Sequence, residues 1–331
     1  MAPVGKFFLN GKFLPTPFES LSGFHRIKEQ VSREIGESPQ PEVRVGLISN
    51  ILFPVDFSPS CIAMAPFVKR SAALTNARVS LIHVYDPNSY SGVETYLRGP
   101  VEIAEEHRQI GHDRLNAFLA AEFPVPDFPR ILKSGDVAAT IAETARHGFD
   151  LIMMPTHAGA FRRSLLGSTT AKVLDAADCP VETSLHAEEI APRPTGHRIW
   201  ACAIGLTDDS ARVLRYAHGV AAETGAQLHI VHAIPAIDRK LPIRLDLEEQ
   251  VHSAEYRRAL AGIAELQRRA GSSHPVKIVA GPLKDALVEA ARRLDADGLI
   301  IGRSPRSGFE GRLRDLTYAM VRDAPCPVIS V

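Results

Sequence analysis

The stretch Gly167-Ser168-Thr169-Thr170 sets a glycine and three hydroxyl residues at the start of an apolar-periodic segment. That pattern reads as the opening of a helix. A helix N-terminus exposes N–H groups without intrahelical acceptors and the positive end of the helix dipole, so it suits phosphate. The glycine lets the backbone approach a ligand closely, and the hydroxyls add donors. Upstream, the apolar run NILFPVD ends on Asp56. An acid at one strand tip and an anion nest near another make a nucleotide cleft: the carboxylate for a ribose hydroxyl, the nest for phosphates. Each feature also has a plainer account. Gly-Ser is a common helix cap, and Asp56 is equally suited to cap the helix that follows it. Arg162 and Arg163 suit either phosphate neutralisation or a solvated loop.

Other chemistries find no matching pattern. The chain holds neither a Gly-x-x-x-x-Gly-Lys phosphate loop, nor a Gly-x-Gly-x-x-Gly after the first strand, nor a Gly-x-Ser-x-Gly elbow. Its 13 histidines include no His-Glu-x-x-His pair. His229 and His232 stand three apart on an expected strand, on opposite faces, so they do not share a metal. His157 falls in the cleft region, but the sequence places no acid or nucleophile beside it. The four cysteines form no Cys-x-x-Cys pair, so neither a disulfide framework nor a zinc site is indicated, and reduced thiols in the cytoplasm are the simple reading. Cys179 and Cys326, each before a proline, read as small buried apolar groups. Formal net charge is +0, so no basic field points to nucleic acid. No apolar run reaches the roughly 18 residues of a membrane span, and the N-terminus lacks a signal-peptide core. The expectation is a cytoplasmic protein with no membrane partner.

The elements that must position the cleft occur twice. SGDVAATIAETARHGFDLIMMP (134–155) is repeated by AGPLKDALVEAARRLDADGLIIG (280–302), pairing Gly135 with Gly281, Glu143 with Glu289 and Asp150 with Asp297. SLIHVYDP and HIVHAIP pair His83 with His232, and DAADCPVETS returns as RDAPCPVISV. The order and spacing hold throughout, so the chain is a tandem duplication. Each copy alternates short apolar strands with amphipathic helices, including one over 100–122 and one over 137–147 capped by Asp136. Pro66 is expected to kink the first helix. This pattern predicts an α/β fold with parallel, doubly wound sheets. The expected organisation is an N-terminal extension over 1–47, a first domain over 48–186, a Pro-rich linker over 187–197 and a second domain over 198–331.

These residues resemble the universal stress protein family over about 48–185 and 198–331. The features carrying the resemblance are ILFPVDFSPS, LIHVYDP, SGDVAATIAE, DLIMMPTHAG with LLGSTTAKVLDAADCPV, and the closing APCPVISV. The resemblance implies two Rossmann-like units of five strands forming an intramolecular pseudo-dimer through their fifth strands, the same edges that would serve a homodimer. It implies ATP or a related adenine nucleotide, with Mg, on the first unit. Carried over residue by residue, Pro54, Val55, Asp56, Val84 and Met154 serve the adenosine side, and Gly159, Gly167, Ser168, Thr169 and Thr170 the phosphate side. The family's glycine signature is altered here. Pro155 replaces its first glycine, Ala158 its second, and the spacing to Gly167 is one residue short. In the second unit Gly205 replaces the strand-tip acid and Asp315-Leu316 stand at the Gly-Ser site, which reads as a degenerate copy. The leading expectation is a regulatory, non-enzymatic stress protein with an unidentified protein partner. Two alternatives remain open: a nucleotide-free scaffold with decayed sites, and a weak ATPase or adenylyl-transfer enzyme.

Overall fold

The computed structural model describes residues 46–86, 100–156, 166–184, 196–235, 245–303 and 311–331, all within one compact unit, Gly46–Val331. The extension over 1–45 and most of the expected linker lie outside the described residues.

The first half runs β1 (Asn50–Pro54), α1 (Pro59–Thr75), β2 (Arg78–Tyr85), α2 (Pro100–Ala117), β3 (Arg130–Ser134), α3 (Val137–Ala145), β4 (Leu151–Pro155), α4 (Ser168–Ala176) and β5 (Val181–Ser184). The second repeats the order as β6 (Ile199–Ala203), α5 (Ser210–Thr224), β7 (Gln227–Ile234), α6 (Leu245–Ala270), β8 (Val276–Ala280), α7 (Leu283–Arg293), β9 (Gly298–Ile301), α8 (Gly311–Asp323) and β10 (Val328–Ser330). The ten strands form one sheet ordered β3-β2-β1-β4-β5-β10-β9-β6-β7-β8. Every neighbouring pair is parallel except β5 with β10, which run antiparallel.

Strand residues alternate between two cores. Ile51 and Phe53 face a cluster with α1 and α5, whereas Leu52 faces one with α3, α4, α7 and α8. The residues that recur between the copies recur because they do the same work. Asp150 Oδ2 accepts from Ser49 N–H and Asn50 N–H, both at 2.9 Å, and Asp297 Oδ2 accepts from Arg198 N–H at 2.7 Å and Ile199 N–H at 3.0 Å. Each carboxylate thus ties the end of one strand-helix unit to the start of its own first strand. Gly135 and Gly281 take φ of 136° and 149°, which a side chain disfavours, at the turn into α3 and α7. Asp136 caps α3 by accepting from Ala139 N–H at 2.9 Å, as its position suggests. Helix α1 runs through Pro66. Helix α2 stops at Ala117, short of the expected 122, and Leu119 just beyond has a φ of 51°.

Gly298 in β9 is held to glycine by packing. A Cβ there would lie 2.0 Å from Cζ3 of Trp200, whose indole is buried and donates to Thr224 Oγ1 at 3.0 Å. Gly298→Ala is expected to lower unfolding stability by about 1–3 kcal/mol through forced displacement of the ring, with Trp200 fluorescence shifting in the folded state. An unchanged denaturation midpoint would show that β9 relaxes freely.

At the seam, Ile329 pairs with Glu182 and Ser330 with Val181. Side chains reinforce this ladder. Thr183 donates to the Val328 carbonyl at 3.4 Å, and Ser330 donates to the Val181 carbonyl at 3.3 Å. Tyr318 of α8 donates to Asp175 of α4 at 2.9 Å, and Arg303 donates to the carbonyls of Leu174 at 2.9 Å and Cys179 at 2.6 Å. The halves therefore satisfy each other's fifth strand internally. The intramolecular pseudo-dimer that the resemblance implies is thus formed: both fifth-strand edges are paired within the chain, and β3 and β8 are the outer strands.

Candidate functional site

Both halves present a cleft beyond the carboxyl ends of their strands, where open parallel sheets place ligands. In the first half, Pro54 ends β1 and the chain turns through Val55, Asp56 and Phe57. Phe57 has a φ of 67°, a strained value for an aromatic residue. Its ring is held from several sides. It lies 4.3 Å from the His83 ring and 5.3 Å from Phe118, and the Arg114 guanidinium sits 4.3 Å over it. His83 Nδ1–H donates to the Val55 carbonyl at 2.8 Å, and burial lowers the pKa of the ring. These contacts fix the turn that presents Asp56. The sequence reading missed Phe57, because an aromatic after a strand carries no mark of positive φ.

Asp56 is exposed at the cleft mouth. Its Oδ1 accepts from Ser58 N–H and from the Cys61 thiol, both at 3.1 Å. Burial, then the adjacent carboxylate, pushes the Cys61 thiol up to about 12, so it stays protonated. The capping role weighed for Asp56 falls chiefly to Ser58, which accepts from Cys61 N–H at the start of α1.

Pro54, Val55, Asp56, Val84, Met154 and Thr169, all named from sequence, line one cavity of about 190 Å³. The structure adds Ile82, Val137 and Ile141 to its apolar wall, with Pro155 and Cys61. Val137 and Ile141 lie one turn apart on α3, and that spacing was the available sequence signal. Gly167 is the extended N-cap of α4, and its carbonyl accepts the first helical bond from Ala171 N–H at 2.9 Å. The N–H groups of Ser168, Thr169 and Thr170 thus belong to the helix's free first turn. Ser168 is exposed and Thr169 half-buried.

Thr170 requires a correction. It is fully buried, and its hydroxyl donates to the Pro155 carbonyl at 3.2 Å. That bond clamps α4 onto the tip of β4 and turns the hydroxyl away from a phosphate. Gly159, Arg162, Arg163 and His157 lie outside the described residues. Among the described residues, no cluster of three or more His, Cys, Asp or Glu side chains could hold a metal. The four cysteines are free thiols.

The second cleft differs. It encloses about 730 Å³. Helix α8 opens at Gly311, a full turn earlier relative to its strand than α4 does. Buried Thr317 takes the place of Thr170, which sets Arg314-Asp315, rather than Asp315-Leu316, opposite Gly167-Ser168. The N–H groups around Asp315 then fall inside the helix, where residues four positions back accept them. Among the described residues, the second cleft therefore has no free helix first turn at the position that α4 gives the first.

Comparison with known proteins places this geometry. The sequence profile described as the Universal stress protein family matches residues 48–182 and again 199–331. A curated relative, universal stress protein A homolog 1 of Coxiella burnetii, is 29% identical over 142 residues, covering 39% of this chain and 92% of the relative. A universal stress protein from Archaeoglobus fulgidus superposes with a TM-score of 0.59 at 21% identity, covering 85% of this chain and 97% of that one. A protein of unknown function from Pseudomonas aeruginosa PAO1 superposes with a TM-score of 0.54 at 18% identity, covering 86% and 92%. At these identities the two structures share the fold.

Proposed function

The chain belongs to the universal stress protein family, as a tandem of two units, and we propose that its first half binds ATP or a related adenine nucleotide and acts as a regulatory protein in the stress response. The observation that carries this reading is the convergence of Asp56, Val84, Met154 and the open first turn of α4 on one cleft. The cavity of about 190 Å³ is smaller than a typical whole-ligand pocket of roughly 300–1,000 Å³. It suits the base, walled by Ile82, Val84, Ile141 and Met154, while the ribose lies toward Asp56 and the phosphates lie outside over α4. Any Mg would be held by phosphate oxygens and water, as this ion commonly is. Nucleotide occupancy would then alter the surface around α4, which a partner protein reads.

A second reading, a nucleotide-free scaffold, is favoured by Pro155. It offers no N–H where the family's first glycine stands, and the cavity beside it is small. Thermal unfolding with ATP and Mg separates the two. A ligand at a hundredfold excess over its Kd adds about 2.7 kcal/mol of stability, so a clear upward shift is expected. Asp56→Asn keeps an acceptor for Ser58 N–H but loses the charge, and it is expected to weaken binding about tenfold, or ~1.4 kcal/mol. No shift with the wild-type protein at millimolar nucleotide would favour the scaffold.

A further inference from the structure

The second cleft is not a collapsed copy of the first. We infer that it is a separate binding site for an uncharged, predominantly apolar small molecule. Corresponding positions show how it was reshaped. At the strand tips, Pro54, Asp56, Val84 and Pro155 of the first half face Ala203, Gly205, Ala233 and Gly302 in the second. Each change removes side-chain atoms next to the sheet. On the helix side the changes run the other way: Leu283, Leu316 and Met320 stand where the first half has Val137, Thr169 and Val173. The result is a wall pared back at the floor and carrying larger apolar side chains along the sides. Its volume of about 730 Å³ lies in the range that encloses a drug-sized ligand.

The polar groups argue against an anion. Among the described residues no free first turn stands where that of α4 does, since α8 opens at Gly311, a turn earlier. Asp208 lines the cavity and repels negative charge, whereas Asp209 beside it is paired with Arg212 at 3.1 Å. The guanidinium of Arg303, which borders the cavity, is drawn across the seam by the carbonyls of Leu174 and Cys179. His232 lines the cavity with its Nδ1–H donating to the Ile204 carbonyl at 2.9 Å. That bond fixes the tautomer and leaves Nε2 as an acceptor. A ligand hydroxyl or amine that donates to Nε2, on an otherwise apolar body, fits this set.

The site is tested with the neutral fluorophore N-phenyl-1-naphthylamine on the full chain. Saturable, one-to-one enhancement with a micromolar Kd is expected, unchanged by saturating ATP with Mg and unchanged in Gly167→Asp. Two substitutions that fill the cavity are each expected to weaken it at least tenfold. Ala233→Leu restores bulk at the position of Val84. Gly205→Leu enters where a Cβ meets Thr207 at 3.6 Å and Ser210 at 3.9 Å, ordinary contacts that need no backbone shift. Thermal unfolding of both variants confirms folding, and one folded variant suffices. Absence of saturable enhancement, displacement of the dye by ATP, or full-strength binding to a folded filled variant would each overturn the assignment.

Discussion

Glu182→Gln is expected to stabilise the protein by roughly 4–5 kcal/mol at pH 8 and to change little at pH 4.5. Glu182 sits at the centre of the seam, 3% exposed, with Met153 beside it on β4 and Ile329 beside it on β10. Neighbours in register share a face, so its carboxyl enters the cluster packed under α1 and α5. Nearby Tyr216 has a buried hydroxyl without a hydrogen-bond partner among the described residues, and its pKa is raised by burial and then by Glu182. Burial pushes the Glu182 carboxyl up from 4.5 to about 8. The sign follows from proton uptake. Between about 4.5 and 8 the folded state holds a proton that the unfolded state has lost, so stability falls as pH rises through that window. Glutamine keeps the shape of the neutral acid and does not titrate. Urea denaturation of both proteins at pH 5 and pH 8 measures the difference. A wild-type-to-variant gap that does not grow with pH would mean that water or a partner solvates the carboxylate.

Gly167→Asp is expected to reduce nucleotide affinity at least a hundredfold, or about 2.7 kcal/mol, with little loss of stability. Gly167 has a φ of −61° and a ψ of 143°, ordinary extended values for any residue, and aspartate is among the preferred N-caps. The substitution therefore caps α4 well. It also places a carboxylate where a phosphate would sit, and that carboxylate competes for the N–H groups of Thr169 and Thr170. Calorimetric titration with ATP and Mg measures the loss, with urea denaturation as the fold control. Equal affinities in a stable variant would move the phosphates away from α4.

The parts of this architecture that were legible in the sequence are those where one residue does one local job twice. Asp150 and Asp297, Gly135 and Gly281, and His83 and His232 revealed the duplication because each pair makes the same backbone-linked contact. The start of α4 was legible for the same reason: Gly-Ser-Thr-Thr is a local signal read by the next turn of backbone. What escaped depends on several elements at once. The second cleft combines four pared strand tips, which open it, with three enlarged apolar helix residues, which line it, and the missing strand-tip acid gave no hint of this. Thr170 looked like a ligand donor, because its bond to the Pro155 carbonyl spans two elements. In the sequence Glu310, not one of the usual capping residues, precedes Gly311, so the early start of α8 was not announced, and it changes what its N-terminal N–H groups can bind. The pairing of the two fifth strands within the chain was legible from the closing phrase that occurs twice, and the sheet order bears it out.

The most direct test of the central claim, a nucleotide in the first cleft and none in the second, is to purify the full chain without added nucleotide, denature it, and quantify released adenine nucleotide per chain by chromatography, with calorimetric titration of whatever sites are left open. The expected result is one adenine nucleotide per chain, carried over or titrated, and none for Gly167→Asp. Zero per chain with no heat on adding ATP and Mg would contradict nucleotide binding, and two per chain would contradict the division of labour between the clefts.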